Sequence, residues 1–225
     1  RRTHYVTPNA SGVRQYAPGD SYNRIHWRST ARTGELMVKT FELDPASDIW
    51  VILDLERRVH AGSGDESTEE YGVRVAASVA RHYLVQNRSV GVITFGRDLR
   101  IVEPERGGQQ MTRVLETLAT VRAVGDAPLG NILYEEQRRF GRHTTLVIVT
   151  SSTDDSWLTA IQSLTQRGVR AATVLIDPSS FGGGSSPLMM YGELTASDIP
   201  TYVVRRGDDL GLALSPSGGA AVWQG

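Results

Sequence analysis

Residues 48–56 read D-I-W-V-I-L-D-L-E, five consecutive apolar positions closed by an aspartate. A run this short, rich in β-branched and aromatic side chains and apolar on both faces, predicts a strand buried on both sides. Its carboxyl end leaves the core carrying a carboxylate. Working outward, runs of the same kind recur at 89–95, 145–150, 171–176 and 202–204, with helical patterns between most of them. That alternation predicts an α/β fold, a mostly parallel sheet with helices on both faces.

The connecting segments fit the same plan. Ser67 and Glu70 have the spacing of a capping box before a helix over about 69–87, whose apolar face carries Gly72, Val75, Ala76, Val79, Ala80 and Tyr83. Residues 99–102, after a turn at 96–98, suit a short antiparallel edge strand. Further helices are expected over 109–122 (burying Met111, Val114, Leu115, Leu118 and Val121), over 131–140, through Trp157, Leu158, Ile161 and Leu164, and over 188–197. The stretch 181–187, F-G-G-G-S-S-P, is expected as a mobile loop; no G-K-[ST] follows it, so it is not a phosphate loop. The chain divides into an arm (1–47), an α/β domain (48–214) and a tail (215–225).

Composition narrows the function classes. The chain has 24 basic and 25 acidic side chains, a formal net charge of −1, so a general nucleic-acid binder is not indicated. Cysteine is absent, which excludes disulfides, thiol catalysis and thiolate metal sites. No apolar run approaches the ~20 residues of a membrane helix. The sequence begins at Arg1-Arg2 without methionine, as a fragment would. A basic pair there suits the cytoplasmic flank of a preceding membrane helix, and equally a terminus with no role.

The arm is polar, aromatic and arginine-rich. Pro18-Gly19 makes a turn, Asp20 is placed to cap a short helix over about 21–29, Thr33-Gly34 breaks it, and residues 35–41 alternate as a strand with Leu36, Val38 and Phe41 on one face. Arg14, Arg24, Arg28 and Arg32 lie among Tyr16, Tyr22, His26 and Trp27. Two readings stand side by side. Either the arginines pair internally with Asp20 and Glu35 while Trp27 anchors the arm on the sheet, or they read carboxylates or phosphates of a partner.

Ligands of open α/β sheets gather outside the carboxyl ends of the strands, where this chain places Asp54, Glu56, Thr94, Thr150, Ser151, Ser152, Asp154 and Asp177. Such oxygens suit a hard cation such as Mg²⁺, and they are also what any chain leaving a core presents. There is no G-x-S-x-G or H-E-x-x-H, and histidines 4, 26, 60, 82 and 143 form no ligand or relay spacing. No catalytic residue is assigned.

Two resemblances follow from these residues. Residues 48–205, with the strand ending in D-L-E and the antiparallel edge strand, are similar to a von Willebrand factor A domain. Residues 14–42 resemble the signature of the bacterial family called domain of unknown function 58, approximately R-x-Y-x-x-G-D-x-x-R-x-I-x-W-K-x-S-A-R-x-G-x-L-x-V. The chain matches it at Arg14, Tyr16, Gly19, Asp20, Arg24, Ile25, Trp27, Ala31, Arg32, Gly34, Leu36 and Val38, with Arg28 for lysine and Thr30 for serine. The resemblance implies a non-catalytic interaction or assembly module, tethered to the cytoplasmic face of the bacterial inner membrane by helices outside this sequence, working with a MoxR-type AAA+ ATPase. A von Willebrand A domain that binds metal presents D-x-S-x-S, a later threonine and a later aspartate. Here Asp54 keeps the first position, but Glu56 and Arg58 replace the serines, Ala127 the threonine and Ser151 the aspartate. No stable Mg²⁺ site is expected, with Arg58 placed to pair with Asp54. The alternative is divalent-cation-dependent, adhesion-type ligand binding at a rearranged site of Asp54, Glu56 and Asp154.

Overall fold

The computed structural model describes residues 13–17, 25–39 and 47–214. In the arm, strands β1 (Val13–Gln15) and β2 (Met37–Lys39) pair antiparallel, with helix α1 (Trp27–Thr33) between them in the chain. Ile25 bridges Val38 and both are buried, whereas Leu36 precedes the strand and stays exposed. Of the helix expected at 21–29, residues 21–24 lie outside the described residues, and among the described ones α1 begins at Trp27. His26 is its N-cap, Nδ1 accepting from the Ser29 N–H at 3.2 Å. Asp20, assigned that role from sequence, lies outside the described residues. The break at Thr33-Gly34 is as expected: Gly34 takes φ 75 and its N–H closes on the Thr30 carbonyl.

The main sheet contains β3 (Asp48–Asp54), β6 (Val90–Phe95), β7 (Leu99–Glu105), β8 (Thr144–Thr150), β9 (Arg170–Ile176) and β10 (Thr201–Val204). A small hairpin, β4 (Gly62–Ser63) and β5 (Glu66–Ser67), stands apart. The order is β10-β9-β8-β3-β6-β7, all neighbours parallel except β6 and β7. Because side chains alternate along a strand, β3 serves two cores at once. Ile49, Val51 and Leu53 face α2 (Thr68–Val85) and α3 (Gly108–Ala119), while Trp50 and Ile52 face α4 (Leu129–Glu136), α5 (Asp155–Gln166) and α6 (Leu188–Ala196). A short α7 (Leu210–Ala213) joins the first side. Fully burying each large apolar side chain of β3 contributes about 1.5–3 kcal/mol, which is why the run at 49–53 decides the architecture. No helix among the described residues is long and apolar enough to cross a membrane.

Local departures have local causes. α2 begins at Thr68 with Ser67 Oγ accepting from the Glu70 N–H at 3.2 Å, as the capping spacing implies. Leu115 lies off the α3 face that buries Val114 and Leu118 and is 42% exposed, and because α3 ends at Ala119, Val121 is buried from the loop that follows. Phe181, expected to open a mobile loop, is buried edge-on against Tyr71 at a centroid distance of 4.9 Å. One buried polar residue was not visible in the apolar pattern. The ladder between β6 and β7 shifts register between Val90 and Val92, and Gln110 of α3 fills the gap. Its Nε2 donates to the Val90 carbonyl at 2.6 Å and to the Glu103 carbonyl at 2.8 Å.

Gln110→Ala strands the buried Val90 carbonyl and the part-buried Glu103 carbonyl and leaves a small cavity, so it is expected to lower stability by about 2 kcal/mol in urea unfolding. A loss below about 0.5 kcal/mol would show that this bridge contributes nothing to the sheet edge.

Candidate functional site

The chain runs from β3 to β6 on one side of the sheet and later returns to β8 on the other, so the strand order reverses between β3 and β8. The crevice outside their carboxyl ends is where such a fold places a ligand. Here it is lined by Asp54, Thr150, Ser151 and Ser152, each less than 5% exposed. Thr150 donates its hydroxyl to Asp54 Oδ2 at 2.6 Å, and Asp54 Oδ1 accepts from the Glu56 N–H at 3.0 Å. Thr150 Oγ1 also accepts from the Ser152 N–H at 2.9 Å, and Ser152 Oγ from the Asp154 N–H at 3.2 Å. Asp154 then caps α5, accepting from the Ser156 N–H at 2.7 Å, and hydrogen bonding from Ser156 holds its carboxyl below the usual range. A continuous polar chain therefore runs from the central strand to the start of α5.

A second loop is tied in through backbone. Glu56 forms a parallel bridge with Gly125, whose N–H donates to the Leu55 carbonyl and whose carbonyl accepts from the Arg57 N–H, both at 3.0 Å. A Cβ at Gly125 would lie 2.8 Å from the Phe95 carbonyl oxygen, 3.0 Å from that of Gly96 and 3.1 Å from that of Leu55, so only glycine fits. Arg57 and Asp126 add an ion pair at 2.6 Å, too exposed to contribute more than a few tenths of a kcal/mol. His60 sits beneath, Nε2 3.1 Å from the Asp54 carbonyl and Nδ1 3.0 Å from Thr68 Oγ1. Burial pushes its pKa down, so the ring is neutral at pH 7, donating through Nε2.

The electrostatics are those of a closed site. Burial pushes the Asp54 carboxyl up to about 6, against the pull of its Thr150 and Glu56 hydrogen bonds. Burial also raises Glu56, Arg58 lowers it, and Asp154 and Asp126 raise it further. Arg58, expected beside Asp54, therefore acts on Glu56 instead; the Asp54 carboxylate is satisfied by Thr150 and backbone.

These residues do not fit a divalent cation. Asp54 is 1% exposed with both oxygens accepting hydrogen bonds, and Asp154 is committed to its helix cap. Among the described residues, no three His, Asp or Glu side chains are grouped to hold a metal ion.

The arm residues lie elsewhere. Arg14 and Tyr16 are half-buried beside β2, the Tyr16 N–H donating to the Leu36 carbonyl at 2.8 Å. Trp27, expected to anchor the arm on the sheet, is 68% exposed, and Ile25 and Val38 form the buried contact instead. Arg28 and Arg32 are exposed on α1, and Glu35, expected as an arginine partner, accepts from Gln15 Nε2 at 3.0 Å. Asp20 and Arg24 lie outside the described residues. Sequence reasoning found Asp54, Glu56 and Asp154 but missed Thr150 as the Asp54 partner, His60 and the Gly125 ladder. A glycine before an acidic residue in 125–126 was the one available signal for the last of these.

A profile of the family described as "Protein of unknown function DUF58" matches residues 12–181. The chain is 26% identical over 150 residues to the uncharacterized protein YeaD of Bacillus subtilis (strain 168), covering 66% of this chain and 36% of that protein. It thus spans about a third of the length of this curated relative. The SpRpn10 VWA domain superposes with a TM-score of 0.53 at 13% identity, over 79% of this chain and 99% of that one. The conserved hypothetical protein BatB from Bacteroides thetaiotaomicron gives 0.52 at 13% identity, over 72% and 91%. The fold is von Willebrand factor A-like, as the strand pattern and the edge strand imply.

The raised Asp54 pKa fixes a pH dependence. Between the ordinary 3.8 and about 6, the folded state keeps a proton that the unfolded state releases. The Asp54 contribution to stability is therefore fully present below about pH 4 and is lost as pH rises through about 6, by at most roughly 3 kcal/mol. Asp54→Asn keeps an acceptor for Thr150 and has no proton to lose, so its urea-unfolding free energy is expected to lack this decline. Parallel profiles for the two proteins would remove Asp54 as the cause. Adding Mg²⁺ after EDTA is expected to leave the melting temperature unchanged, whereas a site at a hundred times its Kd would add about 2.7 kcal/mol.

Proposed function

Because the chain belongs to the family described as protein of unknown function DUF58 and carries a von Willebrand factor A-like fold, we propose that it is a non-catalytic protein–protein interaction and assembly module. In this reading the full-length protein is held at the cytoplasmic face of the bacterial inner membrane by helices outside this sequence. Its partner is a MoxR-type AAA+ ATPase, and neither nucleic acid nor a metal cofactor takes part.

The observation that carries the reading is the outer face of α1. Trp27, Arg28, Ala31 and Arg32 are all exposed, and their spacing puts them on one side of the helix. Ser29 and Thr30 on the inner side secure it, Thr30 Oγ1 accepting from the Met37 N–H at 3.0 Å. Tryptophan and arginine are the residue types that dominate binding energy at protein interfaces. The non-catalytic part is supported at the sheet's carboxyl edge. His60 is engaged through both ring nitrogens, and the buried Ser151 hydroxyl has no partner to activate it.

The test is affinity capture of the tagged full-length protein from detergent-solubilised membranes of its own bacterium, with and without a non-hydrolysable ATP analogue, read by mass spectrometry. Nucleotide-dependent recovery of an AAA+ ATPase is expected, reduced about tenfold by Trp27→Ala or by Arg28→Glu with Arg32→Glu at unchanged stability. Recovery that these substitutions leave unaltered would remove α1 as the surface. Recovery of envelope proteins without any ATPase would overturn the partner.

A further inference from the structure

At the same sheet edge, on the β6 side of the Gly125 loop, a cavity of about 300 Å³ opens between the β6–β7 turn and the segment that follows α3. Three guanidinium-bearing residues, Arg97, Arg100 and Arg122, line it against a single carboxylate, Asp98. Thr94 lines it as well; the residue is 1% exposed and its hydroxyl has no hydrogen-bond partner. Thr94 and Arg100 are cross-strand neighbours in the β6–β7 ladder, so their side chains stand on the same face of the sheet. Gly96 contributes backbone only, since a Cβ there would lie 2.6 Å from the Arg122 carbonyl oxygen.

The arginines are unequally engaged. Arg100 is oriented by donating Nη1 to Thr120 Oγ1 at 2.6 Å, and Arg122 reaches Glu69 at 3.5 Å with its side chain 74% exposed. Arg97 is exposed, and among the described residues no hydrogen bond or ion pair holds it. With Asp98 on the wall and Glu69 beside Arg122, the three arginines still leave it net positive, with one fork free to close on a ligand. Like charges gathered in a concave wall repel one another and raise the local potential for an anion.

We propose that this cavity binds a phosphate-class dianion, either free phosphate or a phosphoryl group carried on a protein. The ligand's negative charge complements the net positive wall. Its oxygens accept from Arg97 and Arg100 in the planar geometry that guanidinium forks supply, and the buried Thr94 hydroxyl gains the acceptor it lacks. Arg122 closes the rim.

The test is calorimetric titration of the whole chain with inorganic phosphate in chloride buffer, and in a second arm with a short phosphoserine peptide and its unphosphorylated control. One saturable site is expected. Arg97→Glu should weaken it about tenfold. Thr94→Val should weaken it about fivefold while leaving the melting temperature equal or higher, because the buried unpaired hydroxyl is removed. Arg138→Glu, an exposed arginine on the turn after α4 and outside the cavity, should leave it unchanged. Tighter binding of the phosphopeptide than of phosphate assigns the group to a protein; weaker or equal binding assigns it to the free anion. The proposal is overturned by the absence of saturable binding in both arms. It is likewise overturned if Arg97→Glu or Thr94→Val leaves binding unchanged, or if Arg138→Glu weakens it as much as Arg97→Glu does.

Discussion

The hydrogen bond from Thr150 to Asp54 joins the two strands between which the sheet changes direction, and the carboxyl edge is built around it. It places a carboxylate in nearly dry surroundings, where an unpaired charge would be costly, and supplies the donor that makes the placement tolerable. The same threonine oxygen accepts from Ser152, which orders the turn leading to α5. The Asp54 main chain holds His60, which in turn meets Thr68 at the first position of α2. Helices on opposite faces of the sheet are thus referenced to one buried residue, α5 through its side chain and α2 through its main chain.

This arrangement gives a physical reason for the departures from a metal-binding pattern. In a cation site, loops after separate strands converge because each supplies an oxygen to the ion. Here the same loops are joined by the protein's own bonds: Asp54 to Thr150, and Glu56 and Arg57 to Gly125 through backbone. The serines and threonine that would have faced an ion are a glutamate, an arginine and an alanine, and the arginine offsets part of the burial that raises the glutamate. The edge is organised without demanding a ligand, and in the proposed role recognition falls to α1.

What the sequence disclosed followed from the range of each interaction. The strand at 49–53 was legible because apolar continuity is a local property, and Ser67 capping α2 was legible because its partner is three residues away. Thr150 is 96 residues from Asp54, and nothing in a strand reading T-L-V-I-V-T marks its last hydroxyl as paired. Gln110 was hidden because its role depends on a register shift in a strand pair, which no helical periodicity reports. In the arm, the His26 cap on Ser29 was not legible, because histidine is not among the usual cap residues. Trp27 was misplaced because hydrophobicity suggests burial, while Ile25 and Val38 already close the small contact between the segment before α1 and β2.

The one antiparallel pair in the main sheet bears on the order in which the molecule assembles. β6 and β7 are joined by Gly96-Arg97-Asp98 alone, since Phe95 already faces Leu99. Closing so short a loop costs far less chain entropy than any of the parallel pairings, each of which must wait for an intervening helix or a longer excursion. The hairpin can therefore exist before the rest of the sheet, on microsecond timescales, and presents Val90, Val92 and Ile93 as a ready template. β3 lies beside it in the folded sheet, and the Asp54–Thr150 contact, which spans 96 residues, closes a far longer loop than the hairpin does.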